Sequence, residues 1–261
     1  MELLNPKLDV EKFFARVKKS RNRLLLLDYD GTLAPFREER NKAVPYRGVK
    51  RRLKDILGDK RTRLVIVSGR WSEDLLPLLK MKPHPEIWGC HGAERVSTAN
   101  EVTYVHLGED TIRALATADA WAEQEGLGDV MERKPAGLAF HWRGLGAGRI
   151  KSIRRTVRDR WEHDAFRAGL ALHEFDGGIE MRAARINKGQ AVRTMLEEIG
   201  ARTPVAYLGD DFTDEDAFEV LDKRGLKVLV RPQKRETRAD VWIKPPKELL
   251  AFLDRWIDQA E

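Results

Sequence analysis

Short, nearly continuous apolar runs that end abruptly in polar residues constrain the fold of this chain more than any other feature. Five segments have this character: residues 23–27, 63–67, 204–208, 226–230 and 239–243. They are apolar at most positions in a row rather than at alternate positions. That pattern predicts strands buried on both faces, as in a parallel sheet.

Helical patterns lie between these strands. Apolar residues recur on one helical face within residues 49–57, 190–199 and 249–257. Alternation of strand and helix at this spacing is typical of an α/β fold with helices on both faces of the sheet. We therefore predict a Rossmann-like core built on a parallel sheet.

The alternation of parallel strands and helices is interrupted between residues 106 and 183. This stretch contains two helical patterns, one strand-like segment and one hairpin-like segment, at residues 111–125, 150–161, 138–143 and 169–182. The hairpin would turn across Asp176–Gly178. We predict a smaller inserted α+β domain at 106–183, with the core formed by residues 1–105 and 184–261.

Composition limits the class of protein. Hydrophobic residues make up 42% and charged residues 34% of 261 residues, which is typical of a globular domain and too apolar for a disordered chain. No apolar run approaches the roughly 20 residues that a membrane span needs. The N-terminus lacks a secretory pattern, and the single cysteine, Cys90, suits a reducing compartment. We expect a cytoplasmic protein without a membrane partner.

The net charge of +6 comes partly from three basic clusters, at residues 50–54, 154–160 and 231–238. Nucleic-acid binding is one interpretation of such clusters. Solvated helix and loop faces are the interpretation we favour, because acidic residues are interspersed and no nucleic-acid-binding motif accompanies the clusters. A mildly positive field also suits a small anionic substrate.

Polar side chains follow three of the predicted strands. Asp28 and Asp30 follow the first, Ser68 the second, and Asp210 and Asp211 the third. Ligands of an open parallel sheet bind outside the carboxyl ends of its strands, so these side chains should share one crevice. Carboxylates so close together are tolerable around a hard divalent cation, and Mg²⁺ prefers carboxylate, phosphate and water oxygens. The pattern predicts a Mg²⁺ site.

Groups that could bind a phosphate complete this constellation. Lys188 comes just before a predicted helix, where a phosphate would meet both its ammonium and the helix N-terminus. Thr32 and Ser68 offer hydroxyl groups, while Gly31 and Gly69 allow backbone N–H groups to approach an anion closely. Together these groups indicate phosphoryl transfer.

Roles follow from position. Asp28 can attack phosphorus and form an aspartyl-phosphate, and Asp30, two residues on, can act as general acid and base. Asp28, Asp30 and Asp210 are the predicted metal residues. Asp211 and Asp214 are expected to orient Asp210 or its bound waters without contacting the metal, although both could also cap the helix that follows.

These residues carry a family resemblance. The segments DYDGTL at 28–33, SGR at 68–70, Lys188 and GDDFTDEDAF at 209–218 resemble, in order, the four signature motifs of the haloacid dehalogenase superfamily. Because all four occur in the expected order, the resemblance is more specific than a single aspartate motif.

A narrower resemblance covers residues 23–255. The segments HGAER, ERK, FHWR, IEMR and NKGQA, which begin at residues 91, 132, 140, 179 and 187, are similar to trehalose-6-phosphate phosphatases. The resemblance implies a cap domain inserted into a Mg²⁺-dependent phosphatase core. It also implies hydrolysis of trehalose 6-phosphate at the last step of trehalose biosynthesis, and a functional link to a trehalose-6-phosphate synthase.

The same resemblance implies which residues bind the sugar. In this family a Glu-x-Lys pair and a later glutamate of the cap do so, and here these are Glu132, Lys134 and Glu180. Carboxylates accept hydrogen bonds from sugar hydroxyls, and lysine can contact hydroxyls or phosphate. We add Arg70 and His91 to the substrate-binding group. A surface ion pair for Arg70 and a buried structural histidine for His91 are the alternatives.

Three other functions remain to be weighed. The same chemistry could serve another sugar phosphate, such as sucrose phosphate or a glucosylglycerol-type phosphate, because fold does not fix substrate. A receiver domain also clusters aspartates and a lysine at strand ends, but it lacks an acid at the position of Asp30. A nucleic-acid binder would depend on the net charge alone.

Overall fold

We describe a computed structural model of the chain, which covers residues 1–37, 39–175 and 177–258. Residues 38, 176 and 259–261 lie outside the described residues; residue 176 is Asp176, the first residue of the predicted turn. The strands are β1 Glu2–Leu3, β2 Arg23–Leu27, β3 Thr62–Val67, β4 Glu86–Gly89, β5 Glu94–Val96, β6 Val102–Tyr104, β7 Met131–Lys134, β8 Gly137–His141, β9 Leu170–Phe175, β10 Gly178–Ala183, β11 Val205–Gly209, β12 Leu226–Val230 and β13 Val241–Ile243. The α-helices are α1 Val10–Lys19, α2 Val49–Gly58, α3 Ser72–Leu79, α4 Glu109–Gln124, α5 Ala147–Trp161, α6 Asp164–Arg167, α7 Lys188–Glu197, α8 Glu215–Leu221 and α9 Lys247–Asp258.

The larger sheet has the strand order β1-β13-β12-β11-β2-β3-β4-β5-β6. Its six strands from β13 to β4 are parallel to their neighbours, whereas β1 and β5 pair antiparallel with β13 and β4. In register, Leu26 of β2 lies between Tyr207 of β11 and Val65 of β3. The strands β11, β2 and β3, whose following residues carry the predicted chemistry, are therefore adjacent at the centre of the sheet.

Strand β2 shows why apolar residues occupy consecutive positions in this sheet. Leu25 and Leu27 pack in one hydrophobic cluster, and Leu24 and Leu26 pack in a second cluster. Successive side chains of a strand point to opposite faces. Both faces of β2 are therefore buried, and the prediction of a mostly parallel sheet with buried faces is confirmed.

Helix boundaries follow local capping. The helix predicted at 190–199 is α7, and it begins earlier because the Asn187 side chain accepts a hydrogen bond from the Gln190 amide at 2.8 Å. This cap puts Lys188 and Gly189 into the first turn of the helix. The helices predicted at 49–57 and near the C-terminus are α2 and α9.

The chain divides into two compact units, which we call the core unit (Met1–Thr103 with Asn187–Glu261) and the inserted unit (Tyr104–Ile186). The inserted unit has an antiparallel sheet of order β7-β8-β10-β9 and its own hydrophobic cluster, which includes Phe140, Val157 and Met181. The α+β character predicted for the insertion is therefore confirmed. Among the helices of the described residues, none has the length and apolarity that a bilayer crossing requires.

Candidate active site

The carboxyl ends of adjacent strands bring the predicted residues of the core unit together. Asp28 follows β2, and its amide donates to the Leu208 carbonyl of β11 at 2.8 Å. Ser68 follows β3, and its amide donates to the Trp88 carbonyl of β4 at 2.8 Å. Asp210 follows β11 directly. Backbone pairing thus continues past the strands and fixes where these side chains begin.

Lys188 lies at the centre of the buried cluster. Its Nζ donates to Asp28 Oδ1 at 2.6 Å and to Asp214 Oδ1 at 2.7 Å. The Tyr207 hydroxyl donates to the same Asp214 oxygen at 2.7 Å. The side chains of Lys188, Asp28 and Asp214 are at most 5% exposed. The ammonium therefore joins a residue of the first predicted motif to a residue of the last.

The cluster fits a hard divalent cation. Asp28, Asp210 and Asp214 each offer a carboxylate oxygen, and these oxygens lie within 4.8 Å of one another. Asp28 Oδ2 and Asp210 Oδ1 are buried and have no hydrogen-bond partner among the described residues. Three carboxylates face one ammonium, which leaves two negative charges uncompensated. Buried, unpartnered carboxylate oxygens are costly unless a cation binds them, and oxygen ligands are those that Mg²⁺ prefers.

The pKa values reflect this imbalance. Burial raises the pKa of Asp28 to about 7, although Lys188 opposes the shift. Burial, and next the charge of Asp28, raise the pKa of Asp210 well above its usual range. Burial alone would lower the pKa of Lys188, but Asp214 and Asp28 reverse the direction and raise it. The isolated cluster therefore retains a proton near neutral pH, which a cation would displace.

Gly31 shapes the loop that carries the first motif. Its φ is +82°, a conformation that favours glycine, and an added Cβ would lie 2.1 Å from Asp210 Oδ2. The loop and the Asp210 carboxylate thus approach each other as closely as a glycine allows. The hydroxyl of neighbouring Thr32 is buried and has no partner among the residues described here.

The loop of Ser68 and Gly69 is equally close-fitting. A Cβ on Gly69 would lie 2.7 Å from His91 Nε2, and the His91 amide donates to the Ser68 carbonyl at 2.9 Å. The Ser68 hydroxyl oxygen accepts from the Arg70 amide at 3.2 Å. His91 is therefore packed on the predicted phosphate-binding loop through both its ring and its backbone.

The Asp214 carboxylate both caps a helical turn and contacts the backbone of Asp210. Its Oδ2 accepts hydrogen bonds from the Asp210 and Asp211 amides, each at 2.9 Å. Asp211 and Asp214 also form a reciprocal capping box at the short helical turn Phe212–Asp214. The same carboxylate thus caps the turn, holds the loop of Asp210 and binds Lys188.

Asp30 forms a separate ion pair beside this cluster. Arg70 Nε and Nη2 donate to its two oxygens at 2.6 and 2.7 Å, and Arg70 Nη1 donates to the Arg40 carbonyl at 2.9 Å. The Arg70 guanidinium lies 5.9 Å from the centre of the Tyr29 ring. The Arg70 side chain is 6% exposed and that of Asp30 is 27% exposed, so this is a partly buried ion pair rather than the surface pair considered from the sequence.

The inserted unit holds the other three predicted residues. Lys134 Nζ donates to Glu180 Oε1 at 2.8 Å, and both side chains are at most 7% exposed. Arg182 Nη1 lies 3.4 Å from Glu180 Oε2. Glu132 Oε2 is 2.6 Å from His141 Nε2. Lys134 and Glu180 therefore form a buried ion pair.

Comparison with known proteins places this geometry in a family. A profile of the family described as trehalose-phosphatase matches residues 26–241. The chain belongs to the trehalose-phosphatase family. A trehalose-phosphate phosphatase of Mycobacterium avium is 30% identical over 262 residues, covering 92% of this chain and 63% of that protein. The chain thus spans less than two thirds of the length of this relative.

Solved structures agree with the family assignment. The structure of an Aspergillus fumigatus trehalose-6-phosphate phosphatase superposes with a TM-score of 0.70 at 26% identity, covering 97% of this chain and 99% of that one. A haloacid dehalogenase-like hydrolase of Bacteroides thetaiotaomicron gives a TM-score of 0.66 at 16% identity, over 90% of this chain and 99% of that one, and shows the fold alone. The resemblance to trehalose-phosphatases is confirmed, and the second structure adds a likeness of fold.

Sequence reasoning missed three residues of the site. Tyr207 lies inside an apolar strand, where nothing distinguishes its hydroxyl from an ordinary core tyrosine. Arg231 and Arg235 belong to a basic cluster that we interpreted as solvated, yet both donate to the Asp210 carbonyl, at 3.1 and 3.2 Å. No spacing in the sequence signals those contacts, because they join separate loops.

Proposed function

We propose that this protein is a Mg²⁺-dependent phosphoric monoester hydrolase that converts trehalose 6-phosphate to trehalose and phosphate through an aspartyl-phosphate. Membership of the trehalose-phosphatase family supports the substrate. The observation that carries the chemistry is the buried cluster of Asp28, Asp210 and Asp214 around Lys188, with two carboxylate oxygens that lack partners among the described residues.

We propose that Asp28 and Asp210 bind the cation through their carboxylates and Asp30 through its backbone carbonyl, because Arg70 occupies both oxygens of the Asp30 carboxylate. Bound there, the cation would neutralise carboxylate and phosphate charge and so allow two anions to meet. Asp214 lies within the same 4.8 Å group, but each of its carboxylate oxygens already accepts two hydrogen bonds. Asp211 and Asp214 would in addition hold the loop of Asp210 in place.

In the first half-reaction, a carboxylate oxygen of Asp28 attacks phosphorus and the bond from phosphorus to the sugar oxygen breaks. Asp30 gives its proton to the departing sugar oxygen. Lys188, Thr32, Ser68 and the Gly69 amide would bind the phosphoryl oxygens and offset their charge. Lys188 suits this task because it already lies 2.6 Å from the attacking carboxylate.

In the second half-reaction, a water molecule attacks phosphorus and gives a proton to Asp30. The bond between phosphorus and Asp28 breaks, which releases phosphate and restores the Asp28 carboxylate. Asp30 ends the cycle protonated, as it began. The same residue serves as acid and then as base because it faces the leaving oxygen and the attacking water in turn.

Arg70 would control when Asp30 can act. Its two hydrogen bonds occupy both oxygens of Asp30. Substrate must therefore draw Arg70 away from at least one oxygen before Asp30 can carry the proton. A phosphate ester would compete for the same guanidinium, which is consistent with a substrate-binding role for Arg70.

Sugar recognition is assigned to Glu132, Lys134 and Glu180, with His91 near the phosphate-binding loop. Glu180 and Lys134 fix each other through their ion pair, so a sugar would meet preorganised groups. The alternative substrate is another sugar phosphate, such as sucrose phosphate or a glucosylglycerol-type phosphate. Glu132, Lys134 and Glu180 are the residues on which the choice between these sugar phosphates depends.

A substrate panel tests the proposal. Phosphate release would be measured with trehalose 6-phosphate, sucrose 6-phosphate, glucosylglycerol phosphate and glucose 6-phosphate, each with Mg²⁺ and with EDTA. We expect the highest kcat/KM for the trehalose ester and no turnover in EDTA. Equal kcat/KM across the sugars would exclude trehalose 6-phosphate specificity, whereas undiminished turnover in EDTA would exclude the metal requirement.

A further inference from the structure

The loop that follows β12 carries two arginines that reach the proposed metal-binding loop. Arg235 Nε donates to the Asp210 carbonyl at 3.2 Å, and its Nη2 donates to the Asp211 carbonyl at 2.7 Å. Arg231 Nη1 donates to the same Asp210 carbonyl at 3.1 Å. The Arg235 side chain is only 11% exposed. This part of the basic cluster at 231–238 is therefore engaged with the site rather than with solvent.

Arg235 is itself held in place on two sides. Its Nη1 donates to Glu215 Oε1 at 2.5 Å, and its guanidinium lies 4.7 Å from the centre of the Phe212 ring. Glu215 also accepts from the Thr237 hydroxyl at 2.7 Å and from the Arg238 amide at 2.8 Å. The Glu215 carboxylate thus anchors the arginine and the loop that carries it.

The backbone of Asp210 and Asp211 is consequently fixed from both directions. Asp214 accepts from their two amide groups, and Arg235 donates to their two carbonyl groups. In the side chain of Asp210, by contrast, the buried Oδ1 has no hydrogen-bond partner among the residues that the structure covers. These hydrogen bonds to the backbone therefore fix where the Asp210 side chain begins.

We propose that Arg235, anchored by Glu215, is a positioning residue that presents the Asp210 carboxylate to the divalent cation. The inference rests on the proposed function, because it assumes that a cation binds at Asp28 and Asp210. Arginine suits this position since its planar fork can donate to two carbonyls and one carboxylate at once. A lysine would keep the charge beside Glu215 but could not bridge both carbonyls.

The test compares two equivalent substitutions in one loop. Arg235→Lys removes the fork at the metal-binding loop. Arg238→Lys makes the same chemical change on a side chain that is 59% exposed and whose nearest acidic oxygen, of Glu219, is 3.8 Å away. Mn²⁺ binding to each folded protein would be measured by electron paramagnetic resonance without substrate, with a thermal melt as a check on folding.

We expect Arg235→Lys to weaken Mn²⁺ binding by about 10- to 100-fold, as loss of a group that orients a metal ligand does. Arg238→Lys should change Mn²⁺ binding by less than about twofold. A purely structural role would lower the melting temperature of Arg235→Lys and leave the Mn²⁺ affinity of the folded protein unchanged. If Arg235→Lys does not fold, Glu215→Gln provides the measurement and should weaken Mn²⁺ binding more than Arg238→Lys does.

The outcomes separate this inference from the proposed function. Unchanged Mn²⁺ affinity in folded Arg235→Lys, or equal losses in Arg235→Lys and Arg238→Lys, overturns the inference alone. A wild-type protein that binds no Mn²⁺ overturns both the inference and the metal requirement. Weakened Mn²⁺ binding in Arg235→Lys, together with a wild-type protein that does not hydrolyse trehalose 6-phosphate, supports the inference and overturns the proposed substrate.

Discussion

Replacing Asp210 with asparagine should make the cation-free protein more stable, although Asp210 is a proposed metal residue. Asp210 shares a 4.8 Å group with Asp28 and Asp214, and burial holds all three away from water. Two like charges at that distance repel by about 3.5 kcal/mol at an effective dielectric of about 20. Lys188 offsets one of the two repulsions on Asp210. Removing the charge of Asp210 should therefore raise the free energy of unfolding by about 3 kcal/mol.

The gain should depend on pH in a defined direction. The pKa of Asp28 is raised from 3.8 to about 7 in the folded protein. Between these values the folded state binds more protons than the unfolded state, so the stability of the cation-free protein falls as pH rises. The advantage of Asp210→Asn should therefore be largest near pH 8 and should shrink as pH falls below 7 and the cluster takes up protons.

Thermal unfolding in EDTA measures this effect. At about 2–4 °C per kcal/mol for a chain of this size, Asp210→Asn should melt about 6–12 °C above the wild type at pH 8. Adding Mg²⁺ at about 100 times its dissociation constant should stabilise the wild type by about 2.7 kcal/mol and the variant hardly at all. Asp129→Asn, on a side chain that is 70% exposed, removes the same charge away from the cluster and should change little. An Asp210→Asn protein that melts below the wild type in EDTA at pH 8 would refute the electrostatic account of the cluster.

Four further substitutions test the remaining parts of the site. Asp28→Asn should abolish turnover of every phosphate ester, because the nucleophile is lost; residual turnover of an aryl phosphate above the blank would argue against covalent catalysis. Lys188→Met should destabilise the cation-free protein by about 3–5 kcal/mol in urea unfolding at pH 8, since it leaves buried carboxylates uncompensated, and no loss would contradict the ion-pair geometry. Gly31→Ala should cost Mg²⁺ affinity in a calorimetric titration, because its Cβ would displace the Asp210 carboxylate, and wild-type affinity would exclude that close approach. Glu180→Gln should reduce kcat/KM for trehalose 6-phosphate far more than for an aryl phosphate, and equal losses would remove Glu180 from sugar recognition.

The mostly parallel sheet could be predicted because burial on both faces leaves a mark on every residue of a strand. Leu24 to Leu27 alternate between two hydrophobic clusters, so four consecutive positions of β2 are apolar. Asp28 and Asp210 could be placed for a related reason. Each directly follows a parallel strand, and the ends of adjacent parallel strands lie at one edge of a sheet.

Contacts between distant segments could not be predicted in the same way. Lys188 and Asp28 are separated by 160 positions, and no local pattern encodes that their side chains lie 2.6 Å apart. The same holds for the ion pair between Arg70 and Asp30 and for the hydrogen bonds from Arg235 to the Asp210 loop. Each depends on where separate loops meet once the sheet has formed.

The sequence by itself determined the layered α/β core, the inserted α+β unit and the acidic residues at the strand ends, because periodicity and strand position are properties of neighbouring residues. Only the tertiary structure decided which charge faces which. It assigned Asp214 to Lys188 and to the Asp210 loop together, and it turned Arg235 inward. The physical reason is that a buried charge is tolerated only beside a compensating group, and that group is brought to it by the fold rather than by the adjacent chain.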